Sequence, residues 1–126
     1  MIYYHFCAEH MLEGILKDGL TMGCIPVVTH QGFRLLPNYQ WLTTEKSAKK
    51  QSWATSELIR YSRTDYRLEI EIPELFQANV LKPSQIVELI PWESHGIFTE
   101  FKGSDRWRAY KGSIPEEWIK SYVRTT

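Results

Sequence analysis

Residues 66–72, Tyr-Arg-Leu-Glu-Ile-Glu-Ile, alternate without a break between bulky apolar and charged side chains. Period-two alternation places Tyr66, Leu68, Ile70 and Ile72 on one face of a half-buried strand and Arg67, Glu69 and Glu71 on the other. Pro73 has no amide proton for a ladder and ends the strand. The opening residues keep the same period, with Ile2, Tyr4 and Phe6 on one face and Tyr3, His5 and Cys7 on the other. The spacing then lengthens: Ala8, Met11, Leu12, Ile15 and Leu16 recur every three to four residues, which makes one apolar stripe on a helix. Gly19 stands where a left-handed residue closes such a helix. The first twenty residues therefore predict one strand–turn–helix unit, with His5 at the edge of the cleft beside it.

Elsewhere the pattern is more broken. Residues 21–39 carry Gly23, Pro26, Gly32 and Pro37 with little sustained periodicity and read as a long functional loop containing a short strand at 25–28. Residues 40–44 read as a compact strand, and 45–50 as an exposed helical turn capped by Thr44. A weaker helical pattern runs through Trp53, Leu58 and Ile59. Residues 81–84 open either a short helix or a strand through 86–90, which apolar content cannot arbitrate. Residues 107–115 read as a late strand with Trp107 and Ala109 opposed to Arg108 and Tyr110, followed by a turn at 115–119 and a strand-like end at 121–124. Trp41, Trp53, Trp107 and Trp118 are expected core aromatics, since each ring buries ~150–250 Å². These elements predict a single compact α+β domain over 1–126.

Composition narrows the function classes. A chain of 126 residues, 43% hydrophobic and 13% aromatic, supports one core. Lys plus Arg and Asp plus Glu both number 15, so no global field draws it to nucleic acid or to an acidic membrane. Cys7 and Cys24 are too few for a disulfide framework, the start lacks signal-peptide features, and no apolar run approaches the ~20 residues of a bilayer span. A cytoplasmic protein with no membrane partner is expected. His5, Cys7, His10, Cys24 and His30 suit zinc chemically, but their spacing fits no standard pattern, so no metal site is assigned.

In order along the chain, Tyr4-His5-Phe6, Ile15-Leu16-Lys17-Asp18-Gly19-Leu20, Trp41-Leu42-Thr43-Thr44, Tyr66-Arg67-Leu68-Glu69-Ile70 and Trp107-Arg108-Ala109-Tyr110-Lys111-Gly112-Ser113-Ile114-Pro115 resemble a small bacterial or phage member of the ADP-ribosyltransferase-like superfamily. The resemblance implies a split, mixed β-sheet around a cleft for NAD as substrate. It implies that His5 contacts the nicotinamide-side ribose, that Thr43 or Thr44 supports the nucleotide, and that Tyr61, Tyr66 or Trp53 forms an aromatic wall with Arg67 among the cofactor-binding groups. Such transferases place a Glu on or just before a late strand; here that strand begins Ser104-Asp105-Arg106-Trp107, and Glu100 and Asp105 are the nearest acids. The resemblance further implies a protein or nucleic-acid acceptor.

The residues also allow other readings. RNA 2′-phosphotransferase relatives rely on Arg and His around a phosphate, for which Arg60, Arg63, Arg67, Arg106 and Arg108 are available, and a third option is an inactive relative that binds a ligand or partner. His5 reads equally as a core histidine, Thr43 and Thr44 as a strand end and a cap, Glu69 and Glu71 as a solvated strand face, and Glu100 and Asp105 as loop carboxylates.

Overall fold

The computed structural model describes residues 1–29, 31–47, 65–90 and 104–125. The strand–turn–helix unit forms as its pattern dictates. Strand β1 spans Ile2–Cys7 and helix α1 spans Glu9–Asp18. Gly19 ends α1 at φ 82°, its amide donating 2.8 Å to the Ile15 carbonyl, and a side chain there would run into the main chain at Ile114. That pair of constraints leaves glycine as the fitting residue.

Residues 21–39 depart from the loop expectation. They fold into a hairpin of β2 (Cys24–Thr29) and β3 (Gly32–Pro37), paired in antiparallel register from Cys24 opposite Pro37 to Thr29 opposite Gly32. Ile25 and Val27 supply a short buried alternation that Pro26 and Pro37 disguise, and both prolines are tolerated because the hairpin forms its own two-stranded sheet with open edges.

Five further strands are described: β4 (Tyr39–Thr43), β5 (Tyr66–Glu71), β6 (Val80–Leu81), β7 (Trp107–Lys111) and β8 (Ile119–Arg124) join β1 in the order β6-β7-β4-β1-β5-β8. The α+β class holds, and the first, middle and late strands share one sheet as expected. Every described pairing in it is antiparallel, in place of the mixed pairing that the resemblance implied. The ambiguous segment resolves as helix: α2 covers Pro83–Ile86 and a 3₁₀ turn covers Val87–Leu89, with Pro83 in the first turn where its missing amide costs nothing.

Register sorts the side chains into two cores, because residues directly opposite in antiparallel strands point to the same face. Tyr3, Cys7, Leu42, Leu68, Ile70 and Tyr110 face α1 and pack with Ile15, Leu20 and Ile114. Trp107 and Ala109 face the other way and pack with Ile25 and Val27 of the hairpin and Ile86 of α2. Leu68 and Ile70 are fully buried, each contributing about 1.5–3 kcal/mol of transfer free energy. Trp41 joins the second core at its margin, its indole N–H donating 2.8 Å to the Cys24 carbonyl and its ring meeting Trp107 edge-on at 6.2 Å. Trp118 lies against the first core, and Trp53 is outside the described residues.

Candidate functional site

The sheet is uneven at its centre. Strand β1 pairs with β5 at six consecutive positions, from Ile2 opposite Glu71 to Cys7 opposite Tyr66, but with β4 at one, Tyr4 opposite Thr43. Beyond that position no register pair joins the two strands toward Cys7 and Tyr39, which leaves a split within an otherwise continuous six-stranded sheet. The His5 side chain crosses this gap: its Nδ1 lies 2.7 Å from the Trp41 carbonyl oxygen. A carbonyl only accepts, so Nδ1 carries the proton and the interaction stands in for a main-chain ladder bond.

Electrostatics then fix the other nitrogen. The residue keeps part of its surface open, yet its surroundings desolvate the ring, which lowers its pKa; the Trp41 bond opposes this more weakly. A lowered pKa leaves the imidazole neutral at pH 7, so Nε2 offers a lone pair rather than a proton. Among the described residues Nε2 has no partner. Nearby Cys7 is no nucleophile: burial, reinforced by Asp65, raises its thiol to about 11, which keeps it protonated.

The remaining expected site residues do not all gather at His5. Tyr66 shares its sheet face but turns to β8, stacked edge-on with Tyr122 and covered by Arg124, which donates 2.8 Å to its hydroxyl. Arg67 points from the opposite face, with its guanidinium 5.6 Å from the Tyr4 ring centroid and Nη1 donating 3.3 Å to the Lys46 carbonyl. The Thr43 hydroxyl accepts the Glu45 amide at 3.0 Å, and the Thr44 amide donates 3.1 Å to the Arg106 carbonyl. The Thr43 bond closes a local turn, the expected Thr44 cap does not form, and Glu45 to Ser47 are not helical. Asp105 is exposed on the 3₁₀ turn Ser104–Arg106, which reaches Thr44 through Arg106, and its own carbonyl accepts Arg108 Nη1 at 2.9 Å. No described contact joins Asp105 to His5. Tyr61, Glu100, Arg60, Arg63 and His30 lie outside the described residues.

One charged residue escaped the sequence reading. Glu45, expected on an exposed turn, is buried, with Oε2 accepting Arg106 Nη1 at 2.8 Å and Oε1 accepting the Ser47 amide at 3.0 Å. Its partner lies 61 residues away, and no local pattern signals that pairing. The bond fastens the end of β4 to the start of β7 and fixes the path of the chain into Lys46. Among the described residues no group of three or more His, Cys, Asp or Glu side chains converges as a metal site, and no helix is long and apolar enough to cross a membrane. The sequence matches no family model, and a search of curated proteins returns no significant match.

Proposed function

We propose that the chain binds NAD as substrate at the split between β1 and β4 and transfers ADP-ribose to a protein or nucleic-acid acceptor in the cytoplasm. The observation that carries this reading is the 2.7 Å approach of His5 Nδ1 to the Trp41 carbonyl, which leaves Nε2 of a ring that burial keeps neutral to accept a hydrogen bond from a hydroxyl. A ribose hydroxyl is a matching donor, and the ring keeps its orientation before the ligand arrives.

The reaction asks little more of the protein than position and charge. The nicotinamide–ribose C–N bond breaks with its electron pair leaving on nicotinamide, a nucleophilic atom of the acceptor bonds to the same ribose carbon, and the acceptor's proton passes to a base or to water. Positive charge grows on the ribose as the bond lengthens, so a carboxylate near it favours the transition state over the ground state. Glu100 and Asp105 are the proposed carboxylates.

The phosphotransferase alternative gains less from the described geometry. Arg106 is engaged by Glu45, Arg108 by the carbonyls of Asp105 and Trp107, and Arg67 lies across the sheet from His5. These cations do not assemble around the imidazole. Nicotinamide release, followed by chromatography with protein, RNA and DNA acceptors, tests the transferase reading. Turnover that collapses in the Glu100→Gln, Asp105→Asn double variant while NAD binding persists supports the carboxylate assignment. Full turnover in that variant removes it, and no turnover with any acceptor class favours a binding module.

A further inference from the structure

From the structure we infer a second, separate binding site for nucleotide phosphate on the sheet face opposite His5, built from Tyr4, Lys46 and Arg67. Tyr4 and His5 are neighbours on β1 and project to opposite faces, so this site does not rest on the NAD reading. Two cations approach one aromatic ring: Arg67 Cζ lies 5.6 Å and Lys46 Nζ 5.9 Å from the Tyr4 centroid. Arg67 is further tied to the Lys46 segment by its Nη1 bond to the Lys46 carbonyl, which leaves the other guanidinium donors for a ligand.

Charge accounting separates these two cations from Arg106 and Arg124. Arg106 is paired with Glu45 at 2.8 Å and Arg124 with Glu9 at 2.9 Å. Among the described residues Lys46 and Arg67 have no carboxylate within ion-pair distance. Glu69 stands opposite Tyr4 on β5 and Glu71 opposite Ile2, on the same face, so an anion enters from the Lys46 side, away from those carboxylates. The Glu45–Arg106 bond holds the segment that delivers Lys46, and the Tyr4 ring acts as a positioning group that keeps Arg67 oriented toward solvent. A planar guanidinium beside a compact ammonium matches a phosphate oxyanion, one bidentate and one point contact.

Nucleotide phosphate has two sources here, a free nucleotide and a polynucleotide backbone, and one titration separates them. A labelled twelve-nucleotide single strand is followed by anisotropy across a salt series, with ADP titrated in parallel by calorimetry. Oligonucleotide binding that weakens about tenfold or more in Lys46→Ala and in Arg67→Ala, with the salt slope falling by about 0.7 per lost contact, assigns the polynucleotide source. ADP binding with the same dependence on both residues, and no oligonucleotide binding, assigns the free nucleotide. Tyr4→Phe retains binding, whereas Tyr4→Leu loses the Arg67 contribution to the slope. Lys46 is exposed, so Lys46→Glu serves as the variant least able to disturb folding. Affinity for neither ligand, or affinity unchanged in Lys46→Glu and in the Lys46→Ala, Arg67→Ala double variant, overturns the site.

Discussion

Removing the Arg106 guanidinium should destabilise the protein through Glu45 rather than through the arginine itself. The Glu45 side chain is 9% exposed and the Arg106 side chain 53%. Breaking one side of a fully buried pair costs ~3–5 kcal/mol, and an exposed pair contributes ~0–1 kcal/mol. Here a buried carboxylate keeps the Ser47 amide on Oε1 but loses the Arg106 cation at 2.8 Å, so Arg106→Ala should cost on the order of 2 kcal/mol. In a domain of this size that corresponds to a fall in Tm of roughly 6–10 °C. The informative comparison is the double variant. Replacing Glu45 by Gln removes the buried charge and keeps the shape, so Arg106→Ala, Glu45→Gln should be more stable than Arg106→Ala alone, a coupling that urea denaturation of the four proteins measures directly. Arg106→Ala within about 0.5 kcal/mol of the unaltered protein, or single-variant costs that simply add, would refute the role assigned to this pair.

Two further outcomes follow from local geometry. Gly19→Ala should destabilise by about 1–3 kcal/mol or more, since φ 82° is strained for a side chain and the added carbon meets the Ile114 main chain; an unfolding midpoint equal to the parent's would contradict the assigned backbone. His5, whose folded pKa lies below the unfolded value of 6.5, contributes fully above pH 6.5 and loses that contribution as pH falls, because only the unfolded ring takes up the proton. Stability should therefore fall more steeply between pH 6.5 and 5 than in His5→Gln, by up to about 1.4 kcal/mol per pH unit, and equal slopes in parallel urea titrations would show that the imidazole is not desolvated.

How much of this was legible depends on how local each determinant is. Strand β5 could be read residue by residue because burial there follows period two, with Leu68 and Ile70 inside and Arg67 and Glu69 less buried. Helix α1 could be bounded because its stripe and Gly19 lie within one short segment. Of the β2–β3 hairpin only the short strand at 25–28 is legible, because Pro26 and Pro37 break the alternation that Ile25 and Val27 maintain. The site was legible in its residue types only. His5 was singled out, but its partner is a main-chain carbonyl supplied by the register of β1 against β4, which no side-chain pattern encodes. The burial of Glu45 and the gathering of Lys46 and Arg67 around Tyr4 arise likewise from chain crossings between distant segments. The resemblance implies ligand contacts for Thr43 and Arg67 beside His5, whereas strand alternation places Arg67 on the other face and the Thr43 hydroxyl accepts a turn bond.

The most direct test of the central claim is isothermal titration of NAD into the unaltered protein and into His5→Ala, with a thermal-shift series in parallel to confirm that both are folded. The ligand should bind the folded protein and raise its Tm, and loss of the Nε2 acceptor should weaken the affinity by about two- to twelvefold, the equivalent of ~0.5–1.5 kcal/mol. No NAD binding to the unaltered protein, or an affinity unchanged in folded His5→Ala, would contradict the assignment of the β1–β4 split as the nucleotide site.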